Sequence, residues 1–185
     1  MNKVEIRRQI IKQRTKVSKI EKTVWDEKIA ENFFEVAHMH KGKSVLAFYP
    51  TASEPQIQNY MKECLLRGAR LFLPRINGDR LDICEICDLE DVEQNQLQVF
   101  EPKPHFHVTD QTEFDVILVP GLAFTILGDR VGFGRGFYDK LLANITGLKV
   151  GVAYEYQYNI NFEAEPHDQK VDILVTNQNV YRFNL

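Results

Sequence analysis

The sequence is short of cysteine, of long apolar runs and of any excess of one charge. Three cysteines in 185 residues are an odd number and too few for a disulfide framework, so a reducing cytoplasm is the expected compartment. No apolar run approaches the ~20 residues that a membrane span needs. The opening Met1-Asn2-Lys3-Val4-Glu5 turns charged at once, without the apolar core of a signal peptide. Twenty-three Lys and Arg against 26 Asp and Glu leave a net charge of −3. That balance argues against a general nucleic-acid or membrane-surface binder, while leaving room for a local basic cluster on phosphate. Internal repeats, linkers rich in Gly, Pro or Ser and breaks in composition are also missing, so residues 1–185 read as a single domain. What is present is ordinary: 44% hydrophobic and 26% charged residues, the proportions of a globular protein.

The first forty residues read as helix. Val4, Ile6, Ile10, Ile11 and Val17 fall roughly on one side, among Lys3, Arg7, Arg8, Lys12, Arg14 and Lys16. Ser18-Lys-Ile-Glu21 has the form of a capping box, which predicts a second helix with Val24, Trp25, Ile29, Phe33 and Val36 facing a core. After Gly42 the pattern changes: Ser44–Tyr49 is a compact apolar run suited to a buried parallel strand. Ser53-Glu-Pro-Gln56 resembles a helix entrance, followed by Ile57, Tyr60, Met61, Cys64 and Leu65 and stopped by Gly68. Further strands are expected at Arg70–Pro74, Leu81–Ile86, Phe114–Pro120, Leu148–Tyr154 and Asp172–Thr176, and a helix at Phe137–Ala143. This alternation predicts a three-layer α/β fold, a mostly parallel sheet with helices on both faces. Ligands of such sheets bind beyond the carboxyl ends of the strands, which directs attention to Tyr49–Glu54, Pro120–Asp139 and Tyr154–Asp172.

The strongest signal follows the strand at Phe114–Pro120. In Arg130-Val131-Gly132-Phe133-Gly134-Arg135-Gly136-Phe137-Tyr138-Asp139, three alternating glycines let backbone amides approach an anion unobstructed. The helix that follows adds free N–H groups, and Arg130 and Arg135 add guanidinium forks matched to phosphate oxygens. The stretch is neither the dinucleotide fingerprint nor a Walker A loop. The bland alternative is a tight turn with solvated arginines.

The stretch VPGLAFTILGDRVGFGRGFYDKLL resembles the signature of the 5-formyltetrahydrofolate cyclo-ligases, close to VPGLAFD-x-x-G-x-RLGYGGGYYDR-x-L. Other segments fit the same family: Lys3-Val-Glu-Ile-Arg7 followed by Arg14, Tyr49 to Glu54, Glu101-Pro102, and His167-Asp168-Gln-Lys-Val-Asp172-Ile-Leu-Val-Thr176. Departures are mild, with Thr125, Val131, Phe133 and Phe137 standing for Asp, Leu, Tyr and Tyr.

The resemblance implies the fold shared by sugar-phosphate isomerases and CoA transferases. It also implies closure of 5-formyltetrahydrofolate to 5,10-methenyltetrahydrofolate with ATP and Mg²⁺, through a phosphorylated formyl group. By that likeness Lys3, Val4, Glu5, Ile6 and Arg7, with Arg130 through Tyr138, serve ATP. Tyr49, Glu54, Phe133, Gly134, Arg135, Gly136 and Phe137 serve the folate. Arg135 and Tyr138 are the candidate catalytic pair, and Asp139 and Asp172 the candidate metal ligands. Lys3 and Arg7 lie one turn apart on a helix and can reach one anion together; their bland alternative is a solvated basic face. Glu54 as a mere first-turn acid, and Tyr49 as a mere strand end, are the competing readings at those positions. Asp172 falls at the start of an expected strand, the end of a parallel sheet that ligands avoid.

Cys84-Glu-Ile-Cys87 with His105-Phe-His107 has four zinc-type donors, but the Cys pair lies in an expected strand and the spacing is not that of a finger. Half-buried or exposed thiols are the plainer reading, and the acids of 88–93 read as a solvated loop. No protein partner is implied, only small-molecule substrates. The rival of another class is a non-catalytic sensor of a phosphorylated metabolite on the same fold. Such a sensor would need an output module, and none is recognised.

Overall fold

The computed structural model describes residues 1–37 and 41–183; the last three of the forty residues expected to be helical fall outside them. Helix α1 (Lys3–Arg14) starts at a capping box in which Asn2 accepts from the Glu5 amide and Glu5 reaches back to the Asn2 amide. Its inward side is narrower than the sequence suggests. Ile6, Ile10 and Arg14 are buried, whereas Val4 and Ile11 are exposed. Helix α2 (Lys19–Val36) begins at the predicted Ser18–Glu21 box and buries Ile29 and Phe33. Trp25 and Val36 are half-buried beside them, and Val24 faces solvent.

The strands in chain order are β1 (Ser44–Leu46), β2 (Arg70–Asn77), β3 (Arg80–Ile86), β4 (Val92–Gln94), β5 (Phe100–Pro102), β6 (Glu113–Pro120), β7 (Ala123–Phe124), β8 (Arg130–Val131), β9 (Thr146–Val152), β10 (Ile173–Val175) and β11 (Val180–Arg182). Seven of them form one sheet in the order β11-β10-β9-β6-β1-β2-β3. The five inner strands run parallel and both edges are antiparallel. The β2–β3 edge is a hairpin turning at Gly78, whose φ of +62° suits the tight turn. It carries β2 beyond its expected end, and Pro74 lies past Phe72, the last β2 residue paired with β1. The pairs β4–β5 and β7–β8 are separate two-stranded ribbons.

Alternation along the strands fills two cores. Val45, Ala47, Leu71, Leu73, Val116, Leu118, Val150 and Val152 face α2 and helix α3 (Gln58–Leu66). Leu46, Phe72, Ile117, Val119 and Leu174 face the other way, against Phe124 and Leu141 and Leu142 of α4 (Phe137–Leu142). A third small core joins Ile6 and Ile10 of α1 to Leu122, Ala123 and Val131. The helix expected at Ser53–Gln56 starts only at Gln58. The preceding segment is a turn because Glu54 accepts from the Thr51 amide and hydroxyl, while the Gln56 side chain donates to the Thr51 and Glu54 carbonyls. Among the described residues no helix is long and apolar enough to cross a membrane.

Candidate active site

A cleft of about 1330 Å³ opens where β1, β2 and β6 end, lined there by Phe48, Tyr49, Pro74, Ile76 and Pro120. This is the carboxyl end of the parallel strands, as the fold class dictates. The volume exceeds the ~300–1,000 Å³ of a pocket for one drug-sized ligand, so there is room for two substrates side by side.

One wall is built by α1, the glycine loop and the segment 161–168. Lys3 reaches Asp168 at 2.6 Å and Glu165 at 3.5 Å. Arg7 donates through Nε to the Gly132 carbonyl at 2.8 Å. Arg130 is buried and donates to Asp139 at 2.5 Å, with its guanidinium 6.0 Å from the Tyr138 ring centre. Burial pushes the Arg130 guanidinium down, and the charges of Asp139, Tyr138 and Asp168 push back. Burial also works against the charge of Asp168, but Lys3 and the Glu165 amide outweigh it and hold that carboxyl below its ordinary range.

The glycines serve this wall in a way the sequence does not disclose. A Cβ on Gly132 would stand 2.9 Å from Arg130 Nη1, and one on Gly134 3.3 Å from Arg7 Cζ. These two residues are small to admit arginines, which in turn pin the loop. Gly134 and Gly136 hold φ of +101° and +67°, the left-handed region that suits glycine, and only Gly136 has open space where a Cβ would point. The helix after the loop is six residues long, so its dipole is weak. Any anion here depends on loop amides and arginines. The preceding element is also unexpected: β6 leads into the β7–β8 ribbon, not directly into the loop.

The facing wall comes from the end of β1, from β2, and from the β4–β5 ribbon with its turn. Tyr49 packs on Phe100 with ring centres 5.2 Å apart, and Leu97 and Val99 continue the apolar surface. Glu101 fastens the ribbon by accepting from the Ile76 amide at 2.9 Å, beyond the stretch of β2 paired with β1. Glu54 is 5% exposed, with Oε2 taken by Thr51. Tyr138 faces it between the two walls. Its hydroxyl is pushed above the ordinary tyrosine range first by burial and then by Glu54, with Arg130 opposing.

Of the residues singled out from sequence, Lys3, Val4, Arg7, Tyr49, Glu54 and all of Arg130–Asp139 line the cleft. Glu5 and Ile6 do not: Glu5 caps α1, and Ile6 lies in the third core. Asp172 is not brought to the cleft either. It precedes β10 at the amino end of the sheet, where it accepts from the Lys149 amide at 2.8 Å. The carboxylate from the same motif that does reach the cleft is Asp168, because the chain between 161 and 168 folds back over the strand ends while 172 must already enter the sheet. Glu165, His167 and Asp168 are, among the described residues, the one group with three metal-type ligand atoms within 4.8 Å of one another. The Cys84, Cys87, His105 and His107 set is not gathered: Cys84 is buried in β3 and the other three are exposed. The acids of 88–93 are also more ordered than a solvated loop, since Asp91 accepts from the amides of Cys87 and Asp88. The sequence reading reached the β4–β5 wall only through Glu101-Pro102; Leu97, Val99 and Phe100 carry no motif. Leu97 and Phe100 stay exposed, Phe100 against Tyr49 at the cleft.

The profile of the 5-formyltetrahydrofolate cyclo-ligase family matches residues 1–177. A 5-formyltetrahydrofolate cyclo-ligase of Mycoplasma pneumoniae is 29% identical over 182 residues, covering 96% of this chain and 100% of the relative. Its counterpart in Mycolicibacterium smegmatis is 32% identical over 143 residues, 73% of this chain and 74% of the relative. The solved 5,10-methenyltetrahydrofolate synthetase of Aquifex aeolicus superposes with a TM-score of 0.87 at 31% identity, over 100% of this chain and 94% of that one.

Proposed function

The chain belongs to the 5-formyltetrahydrofolate cyclo-ligase family, and from that premise we propose that it closes 5-formyltetrahydrofolate to 5,10-methenyltetrahydrofolate while converting ATP to ADP and phosphate. The formyl oxygen attacks the γ-phosphorus and ADP leaves. The second folate nitrogen then bonds to the activated carbon and gives up its proton, and the carbon–oxygen bond breaks to release phosphate. The observation that carries this reading is the two-walled cleft, large enough for two substrates, with a cationic glycine loop opposite a buried carboxylate.

Phosphoryl transfer asks for placement and charge neutralisation more than for covalent help. Lys3, Arg7 and Arg135 supply cations along the loop, and the amides of 132–136 supply donors. Arg135 is exposed, with its guanidinium 5.9 Å from the Phe137 ring centre, free to swing onto the transferred group. Glu54 accepts from the N–H groups of the pterin, whose rings lie along Tyr49 and the β4–β5 wall. Tyr138 keeps its proton at any working pH, so it acts as a donor toward oxygen and not as a base.

Mg²⁺ takes hard oxygens and needs only one or two carboxylates beside nucleotide phosphates. The donor set fits. Asp139 directs Oδ1 to Arg130 and the Gln169 amide, and Asp168 directs Oδ2 to Lys3 and the Glu165 amide. Each thereby retains a second carboxylate oxygen. Asp139 and Asp168 are the residues that would hold the ion, which when bound neutralises the phosphates. On this reading residues 1–185 act as one catalytic domain in the cytoplasm, without a protein partner, on a fold related to sugar-phosphate isomerases and CoA transferases.

The test is to mix the protein with ATP, Mg²⁺ and 5-formyltetrahydrofolate and follow the absorbance of the methenyl product alongside phosphate. Equimolar appearance of both is expected. Binding of ATP without either product would replace the enzyme by a sensor.

A further inference from the structure

Arg14 carries a buried charge with no carboxylate counter-ion among the described residues. The residue is 7% exposed, and its Nη2 donates to the Gly121 carbonyl at 3.1 Å. Among the described residues Nε and Nη1 meet no partner of good hydrogen-bond geometry; the polar group beside the guanidinium is the buried hydroxyl of Tyr156, a neutral phenol whose rise from burial the Arg14 charge opposes. A buried cation left in this state is a poor device for stability. Unmet donors in the interior are unfavourable, and replacing buried charge by a similar apolar shape is often neutral or stabilising. The contribution of Arg14 has to be sought in what its side chain holds.

It holds the glycine loop. The guanidinium lies 5.8 Å from the ring centre of Phe133, which is half-exposed and lines the cleft. Arg7, two helical turns earlier on the same side of α1, fixes the adjacent Gly132 through its carbonyl. Two arginines of one helix therefore fasten consecutive loop residues, one by the backbone and one by the ring. The bond from Arg14 to Gly121 ties the same unit to the end of β6. Its unmatched charge also biases the potential beneath the loop toward anions.

We infer that Arg14 is a positioning residue for the nucleotide. Acting through Phe133 and Gly121, it sets where the amides of 132–136 stand when phosphate arrives. The inference rests on the reading of the cleft as an ATP site, but not on the folate chemistry.

Two variants test it, Arg14→Met, which keeps bulk and removes charge, and Arg14→Lys, which keeps charge and removes the flat fork. ATP affinity is measured by calorimetry without folate, together with KM for each substrate and the melting temperature. For Arg14→Met, about tenfold weaker ATP binding is expected, with folate KM within twofold and an unchanged or raised Tm. Arg14→Lys should fall between that variant and the native protein. In a Phe133→Ala background, Arg14→Met should add less than twofold, because residues acting as a unit are not additive. Native ATP affinity in folded Arg14→Lys overturns the inference. So does a fall in Tm for Arg14→Met with ATP affinity unchanged. If Arg14→Met does not fold, Arg14→Lys decides alone. Native protein that binds ATP but makes no methenyl product defeats the proposed reaction and leaves the ATP arm standing; native protein that does not bind ATP defeats both.

Discussion

The charged wall of the cleft and its apolar counterpart are held together differently. In the wall of α1, the glycine loop and 161–168, the charges that would greet a nucleotide already have partners: Lys3 on Asp168, Arg130 on Asp139, Arg7 on a carbonyl. In the wall of β1, β2 and the β4–β5 ribbon, Tyr49 and Phe100 touch each other, and Leu97 and Phe100 remain substantially open to solvent. A ligand on the first wall exchanges partners, so binding there depends on how well it replaces existing ion pairs. A ligand on the second covers apolar surface, so binding scales with the area removed from water. The first wall is therefore built for charge and geometry, the second for shape.

The largest expected break in this contrast is Gly134→Val. It forces a branched residue to φ +101° and pushes a Cβ to 3.3 Å from Arg7 Cζ. Left-handed strain and the disturbed arginine together are on the order of 2–3 kcal/mol, about a hundredfold in the KM for ATP. Folate binding measured without ATP should stay within twofold. A folded variant with native ATP kinetics would show that the loop does not meet the nucleotide.

Glu54→Gln tests the other side. It turns one acceptor oxygen of a buried carboxylate into a donor. The expected loss is about tenfold in folate KM, ~1.4 kcal/mol, with ATP barely affected. Equal damage to both substrates would remove the distinction between the walls.

The smallest effect sharpens the placement of the metal. Asp168→Asn should raise the Mg²⁺ midpoint of the rate a few-fold at saturating ATP. Asp172→Asn should leave that midpoint alone and lower Tm by about 2 °C at most, because the Asn oxygen still accepts from the Lys149 amide and only the charge assistance is lost. The reverse pattern would return the metal to the strand start.

Much of this was legible along the chain because it is local. The Ser18–Glu21 capping box starts α2 as predicted, since both partners lie within one turn. The first half of the apolar run at 44–49 forms the central parallel strand β1, since only a position covered on both faces suits it, while 47–49 leave the strand toward the cleft. The glycine pattern marked the cleft because left-handed backbone at 134 and 136 suits that residue type.

The residues that the structure keeps away from the cleft, or brings to it unannounced, share a cause. Glu5 and Ile6 sit inside a matching motif, yet a helix turns successive residues about 100° apart, so only Lys3, Val4 and Arg7 of that run reach the cleft. Asp168 and Asp172 are four residues apart in one motif, but a strand boundary sends them to opposite ends of the sheet. In the β4–β5 wall only Glu101-Pro102 carries a motif; Leu97, Val99 and Phe100 carry none, because apolar cover needs only bulk.

Composition, caps, periodicity and the glycine signature, all short-range properties of covalent geometry and hydrophobicity, determined by themselves the class of fold and the loop at its centre. Which carboxylate meets which cation, why Gly132 and Gly134 are small, and what stands opposite the loop were decided only in the tertiary structure. Each depends on segments that are distant in sequence, Arg7 and Gly134 or Lys3 and Asp168, and their meeting is set by sheet order and helix packing.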